Sequence, residues 1–102
     1  MRKSTHSGEY AGLRKRLAII RSDAGLSQRQ LAILLDVPHS LIAKIESGER
    51  RIDLVEFAWF CDACGKSAAD EAARLLRKWV QPGRGKRVRS MGNRSPGRGK
   101  RA

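Results

Sequence analysis

Residues 25–48, GLSQRQLAILLDVPHSLIAKIESG, restrict the fold of this chain more than any other stretch. Two short apolar-periodic segments flank a tight break at Leu35-Asp36-Val37, and polar residues crowd one face of the second segment. In the first, Leu31, Leu34 and Leu35 stand at i, i+3 and i+4, the spacing of a helix with one buried face. Ser27 can cap that helix, and Gln30 three residues on completes a capping box. The second segment opens at Pro38, whose fixed φ suits a helix start, and buries Ile42 and Ile45. Glu46-Ser47-Gly48 ends it with the glycine that a left-handed stop prefers. Ala32 is small where the two helices cross, so the pair is expected to meet at a corner of roughly 90–120°.

The flanking sequence supplies three more helices and no strand pattern. Residues 1–8 read as a loose polar start, followed by a helix from Glu9 or Tyr10 to about Ala24. Leu13, Leu17 and Ile20 face inward on it, Arg14, Lys15 and Arg16 face largely outward, and Gly25 stops it. After Gly48 a loop reaches Asp53, a cap for a fourth helix over 54–64. Its apolar set (Leu54, Val55, Phe57, Ala58, Phe60, Cys61, Cys64) is wide enough to touch the core and something beyond it. Ser67 opens a fifth helix over 68–80, with Ala72, Leu75, Leu76 and Trp79 on one side. Residues 9–81 are therefore expected to form one small all-α domain.

Charge is distributed unevenly. The net charge is +12, from 22 basic and 10 acidic residues. Residues 82–102 hold eight of those cations and no acid, which leaves +4 for the remainder. GRGKR occurs at 83–87 and again at 97–101, and such Gly/Arg-rich composition cannot bury enough surface to offset the entropy of ordering. A disordered basic tail is the expectation. It can serve as a flexible cation along phosphates, or as a solubilising extension. No apolar run approaches the ~18 residues that cross a membrane, and no apolar segment follows the basic start as in a secretory signal. The expected location is the cytoplasm, beside the nucleoid if the source is bacterial.

Cys61 and Cys64 form a lone C-x-x-C. A zinc site needs four ligands, and His6 and His39 stand apart from the pair and from each other. On a helix the two thiols sit at i, i+3, where they fill a core face. No metal or cofactor is expected. Nor is an enzyme: there is no glycine loop for phosphate and no nucleophile with a base. The acids Asp53, Glu56, Asp62, Asp70 and Glu71 read as solvated helix faces and caps.

The central stretch resembles the lambda-repressor-like helix-turn-helix family, of the XRE or Cro/cI type. The features that carry the likeness are Leu26-Ser27-Gln28, Leu31-Ala32, Leu35 and Val37 around the turn, Ile42, and Ile45-Glu46-x-Gly48. It extends over 13–25 and 49–65, about half of the chain. Asp36 stands where the family usually has a turn glycine and Ile52 where many members have proline. Asp tolerates the left-handed conformation better than most residues, so the first departure strains little.

The resemblance implies a compact five-helix domain that binds double-stranded DNA, with the helix over 38–47 in the major groove. It implies base contact by His39, Ser40 and Lys44, with apolar contact from Ala43, and a phosphate contact from Gln28 at a helix N-terminus. Arg50 and Arg51, just past the recognition helix, are placed for neighbouring phosphates. For each of these the alternative is a solvated or merely charged surface. Arg21 and Glu46 match a salt-bridging pair of the family, a clamp on the reading helix. A transcriptional repressor acting as a homodimer on a palindromic site is the leading expectation, with Trp59 and Trp79 marking its dimer surface. An antitoxin-like or accessory protein-interaction module is the first alternative. A non-specific nucleic-acid binder dominated by the tail is the second.

Overall fold

Side-chain caps set four of the five helix starts among the residues that the computed structural model describes, 7–80. Ser7 accepts from the Tyr10 amide at 3.0 Å and starts α1 (Gly8–Asp23), one or two residues earlier than the sequence suggested. Ser27 and Gln30 form the expected capping box of α2 (Gln28–Leu35). α3 (His39–Ser47) begins after Pro38 with no side-chain cap. Asp53 and Glu56 make a second capping box at α4 (Leu54–Ala63), and Ser67 caps α5 (Ala68–Trp79). The tail at 82–102 and the first six residues, His6 included, lie outside the described residues.

Left-handed residues end four of the five helices, at Gly25, Asp36, Gly48 and Gly65. Asp36 closes α2 at φ 57°, ψ 48°, and its amide reaches back to the carbonyl of Ile33. Asp is thus accepted at the turn position where a glycine was the norm. α3 packs against α1 and α2, α4 packs against the same two helices, and α5 packs on α4. The core joins Leu17 and Ile20 of α1, Leu31 and Ala32 of α2, Ile42 and Ile45 of α3, Phe57, Phe60 and Cys61 of α4, Cys64 just past its end, and Leu75 of α5. Both thiols are free and inside this core, and burial pushes the Cys61 thiol up to about 11.

The structure corrects the sequence reading at four places. Leu34 is 59% exposed, and Ala32 takes the buried position instead. In an eight-residue helix the contact with α3 selects Leu31, Ala32 and Leu35, a stripe that runs one residue off the leucine spacing. Leu76 likewise points outward, and Glu71, expected in solvent, is only 4% exposed. It is buried because Arg16 of α1, also expected outside, grips it with two hydrogen bonds, Nε to Oε1 at 2.8 Å and Nη2 to Oε2 at 3.1 Å. Glu56 is no free acid either: Arg50 binds both of its oxygens at 2.9 Å.

These two pairs make the fold acid-sensitive. The Arg16 hydrogen bonds hold the Glu71 carboxyl below the usual carboxylate range, and the Arg50 bonds, helped by the Asp53 amide, do the same for Glu56. A carboxyl whose folded pKa is depressed contributes stability that is fully present above its unfolded value, about pH 4.3, and is lost as pH falls through the lower folded value. The melting temperature should therefore be flat from pH 8 to about 5 and fall below about pH 4. Glu71→Gln should melt lower at neutral pH with a shallower decline in acid. An equally steep decline in that variant would mean that Glu71 takes no part.

Candidate DNA interface

α3 has one face in the core and the opposite one bare. Ile42 and Ile45 are buried, whereas His39, Ser40 and Lys44 are exposed and Ala43 is half-buried beside them. The helix turns 100° per residue, so positions 40, 43 and 44 fall on one flank, with 39 at its N-terminal end. An open hollow runs along this flank, lined by Pro38, Ser40, Leu41, Lys44, Glu49 and Arg50. Leu41 is half-buried and packs against the core, which makes it a wall of the hollow more than a reader. His39, Ser40 and Lys44 offer donors and acceptors of different kinds, as discrimination among base edges requires.

What aims this flank is a hydrogen-bond network under the helix. Arg21 binds Glu46 through Nε to Oε2 at 2.7 Å and Nη2 to Oε1 at 3.0 Å, and Nη1 donates to the carbonyl of Leu26 at 2.8 Å. Both side chains of the pair are largely buried. Its leading effect is to raise the Arg21 pKa further, so the guanidinium stays charged at any working pH. The expected clamp is thus tied to the loop before α2 as well. Gln28 joins it: Nε2 donates to Glu46 Oε1 at 2.9 Å. A primary amide carries two N–H donors, which leaves Gln28 one for a phosphate at the N-terminus of α2 while it holds Glu46 with the other.

The loop after α3 is fixed in the same manner. The Ile52 amide donates to the Tyr10 hydroxyl at 2.9 Å, and Arg50 is held by Glu56 and by the carbonyl of Arg51 at 2.7 Å. Of the two loop arginines, Arg51 is exposed and pairs with no carboxylate among the described residues, whereas Arg50 shares its charge with one. A bidentate Arg–Glu pair can still turn an outer N–H toward phosphate, but its net field is weak.

A family model described as a helix-turn-helix domain matches residues 13–77, well over half of the chain. Among solved structures, an XRE-family like protein from Pseudomonas syringae pv. tomato str. DC3000 is similar at 35% identity and a TM-score of 0.69, over 74% of this chain and 92% of that one. This chain belongs to the XRE-type helix-turn-helix family. Its five helices, without a strand among the described residues, have that family's arrangement, and membership makes it a DNA-binding regulator. No curated protein compared matches it.

Three features of this XRE-type domain were invisible to spacing and motif. Tyr10 and Arg14 of α1 reach residues more than 30 positions away, at Ile52 and Glu46. Glu49 lines the hollow along the exposed flank of α3, where a carboxylate can accept from a cytosine amino group and repels phosphate. Only one signal pointed to it: a charged residue directly after the glycine stop of α3. Among the described residues no group of three or more His, Cys, Asp or Glu side chains could hold a metal, and no helix is long and apolar enough to cross a membrane.

Proposed function

We propose that this regulator is a sequence-specific repressor that binds double-stranded DNA as a twofold dimer, without catalysis, in the cytoplasm. Residues 9–81 form its reading unit, and the basic tail at 82–102 adds phosphate contacts that do not depend on sequence. The observation that carries the reading is the flank His39, Ser40, Lys44, exposed on a helix whose other side is locked by Glu46 and the core. In the major groove that flank meets base edges, with Ala43 against a thymine methyl, while Gln28 and Arg51 meet the phosphates on either side and Arg50 adds to them weakly. One such helix reads only a few base pairs. Repression then needs two copies on half-sites about 10 base pairs apart, or a multiple of that.

For pairing we favour the α2–α4 side of the surface that the two tryptophans were expected to mark. Trp59 is 60% exposed and lines an open hollow with Leu34, Leu35, Asp62 and Ala63, whereas Trp79 packs against the core. The same bare patch supports a second reading, an accessory module whose main partner is another protein. Selection of bound sites from a random duplex pool tests both. A dyad-symmetric consensus is the expected result. Enrichment of a single asymmetric half-site would remove the dimer, and a pool that stays random would remove sequence-specific reading and favour the accessory module.

A further inference from the structure

α1 carries two arginines seven positions apart, and both reach the same residue of α3. Arg21 takes the side chain of Glu46, whereas Arg14 lies at its backbone: Nη1 is 3.5 Å from the Glu46 carbonyl oxygen. That carbonyl is one of the last four of α3, which have no partner inside the helix. The carbonyl of Lys44 is met by the amides of Glu49 and Arg50, and that of Ile45 by the amide of Gly48. For Glu46 the partner is Arg14. The guanidinium also stands at the negative end of the helix dipole, where a cation is favoured.

Gly48 makes room for this contact. It sits at φ +88°, and a Cβ there would lie 2.9 Å from Arg14 Nε and 3.2 Å from its Cδ. Arg14 Nε is itself buried and makes no hydrogen bond among the described residues. The side chain thus occupies the space that a Cβ at position 48 would take. The glycine therefore answers two demands: a left-handed backbone, and a surface without a side chain for Arg14 to cross.

We infer that Arg14 is a positioning residue for DNA reading: it caps the C-terminal turn of α3 across Gly48 and, with Arg21, fixes the pitch of the flank that carries Ser40 and Lys44. It touches no base. Its role in reading rests on the function proposed above, but the contact itself does not.

Two measurements on the full chain test the two parts separately. The first uses no DNA. Gly48→Ala should lower the melting temperature through its backbone strain and by displacing Arg14. In Arg14→Ala the second effect is already gone, so the double variant should melt on the order of 3 °C above the value that adding the two single losses gives. Strict additivity would overturn the contact. The second measurement compares binding to a selected duplex and a scrambled one at two salt concentrations. Arg14→Met should lower the specificity ratio about tenfold while leaving the salt slope unchanged, and Arg14→Lys should restore part of it. Equal loss on both duplexes with a slope reduced by about one charge would make Arg14 a phosphate contact. A lower melting temperature with an unchanged ratio would make it a fold residue alone. Either result overturns the positioning role. If the parent chain shows no preference between the duplexes, the proposed reading fails and the positioning role fails with it, whereas the Arg14–Gly48 contact is still decided by the melts.

Discussion

Replacing Ser40 and Lys44 together by alanine should erase discrimination between target and scrambled duplex, a loss on the order of 100-fold or more in the specificity ratio. Each good base contact is worth about 1–3 kcal/mol of discrimination, and these two side chains are the most exposed polar groups in the middle of α3. The fold should hardly notice. Both side chains are in solvent, where substitutions change stability by about 0.5 kcal/mol or less. Lys44 lies in the last turn of α3, so its removal forfeits a few tenths more through the helix dipole. Residual binding should be alike on both duplexes. Its salt slope should match the parent's if Lys44 reads a base, and drop by about one if it meets a phosphate. A double variant that still selects its site as well as the parent would show that α3 is not the reading element.

Glu46→Ala should be the most damaging single change outside the hydrophobic core. It strips Arg21 of two of its three hydrogen bonds and Gln28 of its partner, in a site where both charged side chains are largely buried. Breaking one side of such a pair costs about 3–5 kcal/mol. Arg21 keeps the Leu26 carbonyl, which places the expected loss at the low end, about 3 kcal/mol. In a domain of this size that is a drop of roughly 10–20 °C in melting temperature. Glu46→Gln retains the shape and one acceptor for Arg21, so it should fall between the two. If Glu46→Ala melts within about 2 °C of the parent and loses only DNA discrimination, the network aims the helix without holding the fold together.

The helix boundaries were legible because they are written locally. Ser27, Asp53 and Ser67 are caps whose partners lie three residues away, and Gly25, Gly48 and Gly65 take the positive φ that a helix stop uses. Burial was less legible. An eight-residue helix has barely two turns, so Leu34 and Ala32 compete for one face, and only the position of α3 decides between them. Glu71 could not be placed inside from its neighbours at all, because the charge that permits its burial is 55 positions away. The Arg21–Glu46 clamp entered through family resemblance, and local spacing held no trace of it. The extra strands of that network, Gln28 and Arg14, appear only once α1, α2 and α3 are assembled.

That assembly has a consequence for how little of the chain can work alone. Tyr10, Arg14 and Arg21, spread along α1, supply the fixings for α3 and for the loop that leaves it. An excised peptide spanning residues 26–48 would contain the whole two-helix motif and most of the polar groups proposed to meet DNA. It would have no lever to orient them. In a chain synthesised from its N-terminus, the three residues that do the fixing emerge before the helix they fix.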